Sequence, residues 1–524
     1  MSFINTAYIM QKLTTYIILI SILMIIINYG YANNSDYRAN LPDIGDSDRV
    51  NLSNYDANAL GLQIINEIIA KNDMLADYEL IDYLNNLGAK LTVNANLIPQ
   101  QFIFYAVKGH EINAFALPGG YICIYDGLIF NTTSEDELAS VMSHEIAHIV
   151  QHHIFRNISI NNHNQLLSLS GLLASALIAP FNPSLAILTA QGSQGLAVQN
   201  ILAFSREFEE EADRVGQQIM YNANFDAHAM PYFFTNLANA NKFSNQDVMA
   251  FLQTHPVTSK RISEAEARAN TMPTKMHMSS IEFLLMKEKS RIRQLGADRA
   301  KIFYLNQLKT KRYNNLNVLY YALSYVYFYQ AISHVSNHAN NIAISMNYIN
   351  KINDKKITNT AIYLVLKMLL IGHNNKYTYD VVNKLYLFAI NTYPNNKTLW
   401  NNYAEYMINH KKFSIINQYL LELSTEHIND IDLWRKIAFI NSDMNLNNIK
   451  IYNYALANIL YIQHQYTHAL DKYQLALNSN TMSAQDININ CKIQCDNGTN
   501  NLSEQDRFND IISAKIIYIK SIIH

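Results

Sequence analysis

The stretch His144-Glu145-Ile146-Ala147-His148 decides how the rest of this sequence is interpreted. Acidic residues precede it and apolar residues run through it at helical spacing, which predicts one continuous helix. Residues four apart share a helix face, so His144 and His148 can hold one metal ion from the same side. Glu145 points around the helix and is free to act on a water molecule. The alternative is a helix that carries two histidines by chance.

A second stretch can supply the missing ligand. Residues 205–213 read Ser-Arg-Glu-Phe-Glu-Glu-Glu-Ala-Asp and continue into an apolar helical pattern. Glu209 and Asp213 are four apart, so Glu209 can bind zinc while Asp213 orients a ligand imidazole. Taken alone, these acidic residues would be a solvated first turn, which the helix dipole favours. A catalytic zinc site needs three protein ligands, and the histidine pair therefore favours the metal interpretation.

Together the two stretches resemble the gluzincin peptidases, the family that includes the CAAX prenyl proteases and the mitochondrial Oma-type proteases. Residues 113–122 (Asn-Ala-Phe-Ala-Leu-Pro-Gly-Gly-Tyr-Ile) resemble the strand and turn that precede the active-site helix in that family. Residues 41–45 and 254–257 fit its exported bacterial branch, which carries a helical-repeat tail. The resemblance covers roughly residues 40–270 through motifs and the remainder through architecture only.

The resemblance implies a role for each matched residue. His144, His148 and Glu209 are the implied ligands of one zinc ion. Glu145 is the implied general base, which takes a proton from the water that attacks a peptide carbonyl. Asp213 is the implied outer carboxylate that orients a ligand.

Two further features follow from the resemblance. Arg206 is expected to pair with a carboxylate of the site. The segment 116–124 is expected to supply an edge strand on which an extended substrate pairs through main-chain hydrogen bonds. The resemblance does not identify the residue that stabilises the oxyanion.

His255 raises the question of a latent site. Pro256 partly fixes the backbone of this loop. If the loop folds onto the metal, His255 fills the fourth tetrahedral position and excludes the water, so activity requires loop movement. The alternative is an ordinary turn before the next helix. His152 lies four residues beyond His148, but a third helical turn is too far along the axis to complete the site. His152 and His153 are predicted to be partly exposed or to lie beside ligands.

The N-terminus predicts export. Residues 16–27 are an apolar core behind Lys12, and small residues precede a plausible cleavage point after Ala32. This is the layout of a cleaved signal peptide, residues 1–32, and predicts a periplasmic location. The alternative, an uncleaved N-terminal anchor, is disfavoured by the length of the apolar core.

Composition narrows the class of protein. With 524 residues the chain exceeds one hydrophobic core and is expected to split into domains. Its 40 basic and 42 acidic residues leave no basic surplus for nucleic acid. Three cysteines do not make a disulfide scaffold. Cys491 and Cys495 are either bridged or two separate thiols.

The two tryptophans indicate a second domain. Trp400 and Trp434 are 34 residues apart, the period of the tetratricopeptide repeat, unless the spacing is a coincidence. We therefore predict a mainly α protein: a gluzincin-type metallopeptidase domain with a small β-sheet, followed by an α-helical tetratricopeptide-repeat domain. The predicted parts after the signal peptide are the peptidase domain at 33–270, a helical linker at 271–309 and the repeat domain at 310–524.

An uncharged segment, residues 157–205, separates the two halves of the metal motif. Its apolar core is too short and too broken for a membrane span. It predicts a buried helical hairpin, because apolar helices in soluble proteins are usually core. The alternative is a mobile apolar lid that meets a membrane or an unfolded substrate.

The combined expectation is a periplasmic zinc metalloendopeptidase with one zinc ion per chain. The resemblance implies that it assists the assembly of outer-membrane β-barrel proteins and degrades unfolded or stalled ones. It also implies contact with the barrel assembly machinery through the repeat domain, with a peripheral membrane contact as a further option. The alternative is a non-proteolytic chaperone or adaptor whose zinc site is latent or structural. The presence of both Glu145 and Glu209 favours the enzyme.

Overall fold

A computed structural model describes the fold of residues 54–70, 73–94, 102–154, 156, 205–242, 248–333, 337–428, 430–442, 444–463, 465–479 and 504–523. Several sequence-based predictions lie outside these residues. They are the signal peptide, the motif at 41–45, the uncharged segment at 157–204, and the pairing of Cys491 with Cys495. Among the residues described, no helix combines the length and the apolar character needed to cross a membrane.

The chain divides between Val326 and Tyr327 into two compact units. The elements of the first unit are α1 (Asn54–Ala70), α2 (Tyr78–Asn94), β1 (Ile103–Val107), β2 (Ala114–Leu117), β3 (Tyr121–Tyr125), α3 (Asp126–Asn131), α4 (Glu135–Val150), α5 (Arg206–Asn222), α6 (Ala229–Lys242), α7 (Met249–Thr254), α8 (Ser259–Thr271), α9 (Ile281–Leu295) and α10 (Ala297–Thr310). Helix α11 (Leu316–Ser333) runs across the division. The predicted class, mainly helical with a small sheet, is confirmed.

The small sheet has the strand order β1-β3-β2. β1 runs parallel to β3, and β2 runs antiparallel to it in a register that pairs Ala114 with Ile124. A short 3-10 turn joins β2 to β3, and Gly119 within it has a φ of 82°, which a residue with a Cβ adopts only under strain. At the end of β1, Val107 forms an isolated bridge with Met74. Within the described part of the chain, β2 is the edge strand on the other side of the sheet.

The sheet geometry corrects the predicted edge strand. We expected residues 116–124 to supply it, but only Ala116 and Leu117 of that segment lie in β2. The remainder forms the turn and most of β3, which is the central strand and is paired on both sides. Two short buried strands joined by a glycine turn look alike in sequence. The pattern therefore does not reveal which of them is the edge strand and which is the central strand.

The predicted linker, residues 271–309, packs as part of the first unit. Lys289 of α9 is 2% exposed and lies 2.9 Å from Asp77 and 2.6 Å from Glu79. Arg293, one turn on, reaches Asp77 and Asp126 at 2.8 and 2.6 Å. Buried charges need such partners, so these contacts hold α9 against α2 and the start of α3 rather than leaving it as a spacer. The compact units divide at Val326 instead of near residue 310.

The second unit is helical throughout the part that the structure describes. Its elements are α12 (His338–Ile349), α13 (Lys355–Thr358), α14 (Ala361–Gly372), α15 (Tyr379–Thr392), α16 (Lys397–Asn409), α17 (Phe413–Glu426), α18 (Ile431–Asn441), α19 (Ile449–Ile462), α20 (Tyr466–Asn478) and α21 (Glu504–Ile523). Trp400 in α16 and Trp434 in α18 are buried in one hydrophobic core. The assignment of these helices to tetratricopeptide repeats stays a prediction.

The two tryptophans should respond differently to the same substitution. The Trp434 indole N–H donates to the carbonyl of Ile428 at 2.8 Å, whereas the buried Trp400 N–H has no partner among the described residues. At position 434, phenylalanine leaves the carbonyl of Ile428 without its donor. At position 400, phenylalanine removes a donor that had no partner. Trp434→Phe should therefore cost about 0.5–1.5 kcal/mol more unfolding free energy than Trp400→Phe, measured by urea titration followed by circular dichroism. Equal costs would contradict this reading.

Candidate metal centre

The histidine motif lies on α4, as predicted. Ser134 caps this helix by accepting a hydrogen bond from the backbone N–H of Glu137 at 3.2 Å. The Glu137 carboxylate reaches back to the N–H and hydroxyl of Thr133, which closes the cap in the manner of a capping box. His144, Glu145 and His148 follow on a helix that is buried over nearly its whole length. The capped helix therefore carries the motif within the interior of the first unit.

The second half of the site lies on α5. Ser205 caps it by accepting from the N–H of Phe208. Glu209 and Asp213 then fall one turn apart and are each 1% exposed. Gly216 lets α5 approach α4 closely, because a Cβ at this position would lie 2.9 Å from the backbone nitrogen of His144. Close helix contact is what brings carboxylates from one helix to imidazoles of the other.

Four donor atoms converge between these helices. His144 Nε2 and His148 Nε2 are 3.0 Å apart. Glu209 Oε2 lies 3.4 Å from His144 Nε2, and Glu209 Oε1 lies 3.4 Å from His148 Nε2. His255 Nδ1 lies 3.3 Å from His144 Nε2 and 3.0 Å from Glu209 Oε1. A tetrahedral zinc ion with bonds of about 2.0–2.1 Å sets its ligand atoms about 3.3 Å apart. The spacing and the chemistry of this donor set therefore fit a single zinc ion.

His255 is the fourth member of this cluster and not a surface turn. It follows α7, is 1% exposed and directs Nδ1 at the metal position. Its other nitrogen, Nε2, lies 3.5 Å from a carboxylate oxygen of Glu145. One imidazole thus stands both at the fourth ligand position and beside the carboxylate predicted to act as base.

The carboxylates make this centre attractive to positive charge. Burial works against a charged imidazole, yet Glu209 and Asp213 raise the pKa of His144 to about 10. Burial would raise the pKa of Glu209, but the nearby His255, Arg261 and His144 lower it well below its usual range. For Glu145, burial dominates and raises the pKa above its ordinary value. The negative charge therefore lies on Glu209 and Asp213, whereas the Glu145 carboxylate is more basic than usual.

Arg261 organises the outer carboxylate. Asp213 lies 3.0 Å from His144 Nδ1 and accepts two hydrogen bonds from Arg261, at 2.7 and 2.8 Å. The same guanidinium lies 2.7 Å from Glu209 and donates to the carbonyl of Pro256 at 2.8 Å. Bidentate pairing of this kind sets orientation as well as charge. Asp213 is thereby held where it orients the ring of His144.

One predicted pairing is wrong. Arg206 is exposed in the first turn of α5, and the guanidinium that pairs with the site carboxylates is that of Arg261. A first-turn arginine points outward here because Glu209 and Asp213 define the inward face. Arg261 had no local signal beyond its position six residues after His255.

His153 lies beside a ligand, which is one of the two environments predicted for it. It is fully buried, and its Nδ1 lies 3.0 Å from Nδ1 of His148. Its ring stacks on Phe208, with centroids 4.6 Å apart, and its Nε2 lies 3.2 Å from Glu211. His152 beside it is exposed, so only one of the two neighbouring histidines faces the metal cluster.

Enlarging Gly216 should weaken the centre without touching a ligand. Gly216→Ala places a methyl group against the backbone of α4, which must move away and carry Glu209 from the histidines. We expect weaker zinc binding and a stability loss of about 1–3 kcal/mol, measured by chelator competition and by denaturant unfolding. Gly372→Ala is the matched control, because its Cβ would meet nothing closer than 3.5 Å in a helix. Unchanged zinc affinity in Gly216→Ala would contradict the close-approach role.

Comparison with known proteins agrees with this geometry. Residues 81–269, which contain all four donors, match the profile described as Peptidase family M48. The Beta-barrel assembly-enhancing protease of Yersinia pestis is 36% identical over 247 residues, 47% of this chain and 51% of the relative. The protein of the same name in Escherichia coli K12 is 32% identical over 260 residues, 50% of this chain and 53% of the relative.

A more distant relative has a different name. The Mitochondrial metalloendopeptidase OMA1 of Schizosaccharomyces pombe is 29% identical over 185 residues, 35% of this chain and 51% of the relative. The chain spans about half the length of the curated relatives it matches. The range matched by the family profile, residues 81–269, holds the metal centre.

Proposed function

We propose, from the match of residues 81–269 to the Peptidase family M48 profile, that this chain is a zinc-dependent metalloendopeptidase. The observation that carries the proposal is the donor cluster of His144, His148, Glu209 and His255, whose spacing fits one tetrahedral zinc ion. Three of these donors are the ligand set implied by the sequence resemblance. The fourth bears on regulation.

Each residue has a distinct proposed task. His144, His148 and Glu209 would hold zinc, which would polarise a peptide carbonyl and lower the pKa of the attacking water. Glu145 takes the proton of the attacking water, and burial supports this role by raising its pKa. Asp213 orients the ring of His144 through its 3.0 Å contact with Nδ1.

β2 is the proposed platform for an extended peptide. It is the edge strand next to α4, and the backbone of Ala116 faces the Glu145 carboxylate. An extended chain added to this edge would pair through main-chain hydrogen bonds beside the base. Such pairing depends on an unfolded backbone rather than on particular side chains, which suits substrates that have failed to fold.

His255 supports a latent resting state. It stands 3.0 Å from Glu209 at the fourth position and 3.5 Å from Glu145, so it occupies the place that the attacking water requires. We propose that the site becomes active when His255 moves away from the cluster. Access to the metal and release of the base would then occur in the same movement.

The same contact supports a second candidate. A metal held by four protein ligands is the arrangement of structural zinc sites, whereas catalytic sites keep an open position. On this reading the chain is a non-proteolytic chaperone or adaptor with a structural centre. The intact Glu145, buried beside the cluster, favours the peptidase, because a structural site needs no base.

The biological setting is proposed from the relatives. Two of them are named beta-barrel assembly-enhancing proteases, which supports a role at the bacterial envelope and in outer-membrane barrel assembly. We propose unfolded or stalled outer-membrane proteins as substrates and the barrel assembly machinery as partner of the helical second unit. A cleaved signal peptide, periplasmic location and peripheral membrane contact complete the proposal. Stacked helical repeats in the second unit would provide the partner surface.

Zinc content and hydrolysis measured on the same preparation test the enzyme proposal. The full chain should hold one zinc ion and cleave unfolded casein, and chelation should stop cleavage. Glu209→Ala should lose both zinc and activity. Stoichiometric zinc retained in Glu209→Ala would remove the third ligand from this account. One zinc ion with no hydrolysis, even after His255→Ala, would favour the structural alternative.

A further inference from the structure

His144 and His148 each have a contact at the ring nitrogen that faces away from the metal position, but the contacting groups differ. His144 directs Nε2 at the metal position and turns Nδ1 toward Asp213 at 3.0 Å. His148 also directs Nε2 at the metal position, and its Nδ1 faces Nδ1 of His153 at 3.0 Å. Neutral imidazole ligands need an acceptor at the ring nitrogen that does not bind the metal. Asp213 meets this need for one histidine, and an imidazole stands in that place for the other.

Hydrogen-bond chemistry assigns the direction of each contact. A metal-binding Nε2 leaves the proton of neutral His148 on Nδ1, which therefore donates. Nδ1 of His153 must accept, so the proton of a neutral His153 is on Nε2. That nitrogen lies 3.2 Å from Glu211 Oε2, and the carboxylate accepts from it. The same oxygen accepts from Arg156 at 2.9 Å.

We propose that His153 is a positioning residue that fixes the ring orientation and proton of the zinc ligand His148, with Glu211 as the terminal acceptor. The inference rests on the proposed zinc site. Stacking on Phe208 at a 5° interplanar angle keeps the His153 ring in the plane that this relay needs. The chain thus has two supports, His144–Asp213–Arg261 and His148–His153–Glu211–Arg156. Each runs from a ligand through a carboxylate to an arginine.

The relay differs from a histidine that merely fills the core. A packing role requires only volume, and leucine supplies much of it. A positioning role requires an acceptor at the place of Nδ1, and asparagine carries its side-chain oxygen near that place. His153→Leu and His153→Asn therefore separate shape from hydrogen bonding at one buried position.

The test measures zinc affinity by chelator competition on the full chain. His153→Leu should raise the zinc dissociation constant about 10–100-fold, the usual effect of losing a partner behind a metal ligand. His153→Asn should recover most of that loss, while the melting temperatures of the two metal-free variants stay similar. The Co²⁺ absorption spectrum should change in His153→Leu and stay close to that of the wild type in His153→Asn.

Glu211→Ala tests the outer link and leaves His153 in place. It should weaken zinc binding by a smaller factor than His153→Leu. Glu210→Ala is the matched control, because Glu210 also lies on α5 and pairs with a basic side chain, Lys260 at 2.7 Å, but has no contact with His153. Glu210→Ala should leave zinc affinity unchanged.

The outcomes separate this inference from the proposed function. Equal zinc affinity in wild type and His153→Leu, or equal weakness in His153→Leu and His153→Asn, overturns the positioning role alone. If His153→Leu does not fold, unchanged zinc affinity in Glu211→Ala overturns it as well. A wild-type chain that binds no zinc overturns the proposed function and the inference with it.

Discussion

Replacing Glu145 with glutamine will leave zinc bound and lower the hydrolysis of an unfolded protein by a factor of about 10²–10⁴. The ligands His144, His148 and Glu209 remain, so the metal stays. An amide of nearly the same shape cannot take the proton of the attacking water. Casein cleavage per bound zinc is the quantity to measure, since it separates loss of chemistry from loss of metal.

Glu137→Gln is the matched control for this variant. Glu137 is a buried glutamate on the same helix, but it caps the helix N-terminus through Thr133 and touches no donor of the cluster. Its replacement should lower stability and leave cleavage per bound zinc near wild type. A Glu145→Gln protein that still cleaved casein near the wild-type rate would falsify the assignment of the base.

His255→Ala should raise proteolysis while zinc remains bound. If the competent state with His255 displaced is about 0.1–10% populated, as minor states commonly are, removing the imidazole should increase the rate about 10–1000-fold. The three remaining ligands suffice for a catalytic zinc site. The measurement compares casein hydrolysis of the two proteins at equal zinc occupancy.

A double variant shows which chemistry the gain uses. Glu145→Gln added to His255→Ala should silence the added activity, because it depends on the same base. An unchanged rate in His255→Ala would sink the latency proposal. Lost activity with a retained fold would instead make His255 a catalytic group, such as an oxyanion donor.

The metal-binding helices could be predicted because their signals are local. His144 and His148 are one turn apart, and so are Glu209 and Asp213, so each pair reports its shared face without knowledge of the fold. Arg261 carried no such signal. It lies in the polar first turn of α8, where a basic residue looks solvated, and only the packing of α8 on α5 brings it to Asp213. Local periodicity does not predict contacts between helices that are distant in sequence.

His153 shows a different limit of sequence reasoning. Counting helical turns excluded His152 as a third ligand and left His153 either partly exposed or beside a ligand. The structure ends α4 at Val150 and gives His152 a φ of 54°, a left-handed conformation that breaks the helical path. The chain then turns back, and His153 meets His148. Periodicity describes residues within a helix and fails at the residue where the helix stops.

If the proposed opening occurs, the hydrogen bond from Arg261 to the carbonyl of Pro256 limits how far the site can open. Pro256 follows His255 directly, and the guanidinium that holds its carbonyl also holds Glu209 and Asp213. The pivot of any opening movement therefore lies one residue from the imidazole, and the displacement belongs to His255 and α7 before it. A movement large enough to displace Pro256 would also displace Arg261 and, through it, the third ligand Glu209. A small displacement of His255 would open the fourth ligand position, whereas a larger one that moves Pro256 would disrupt the metal site.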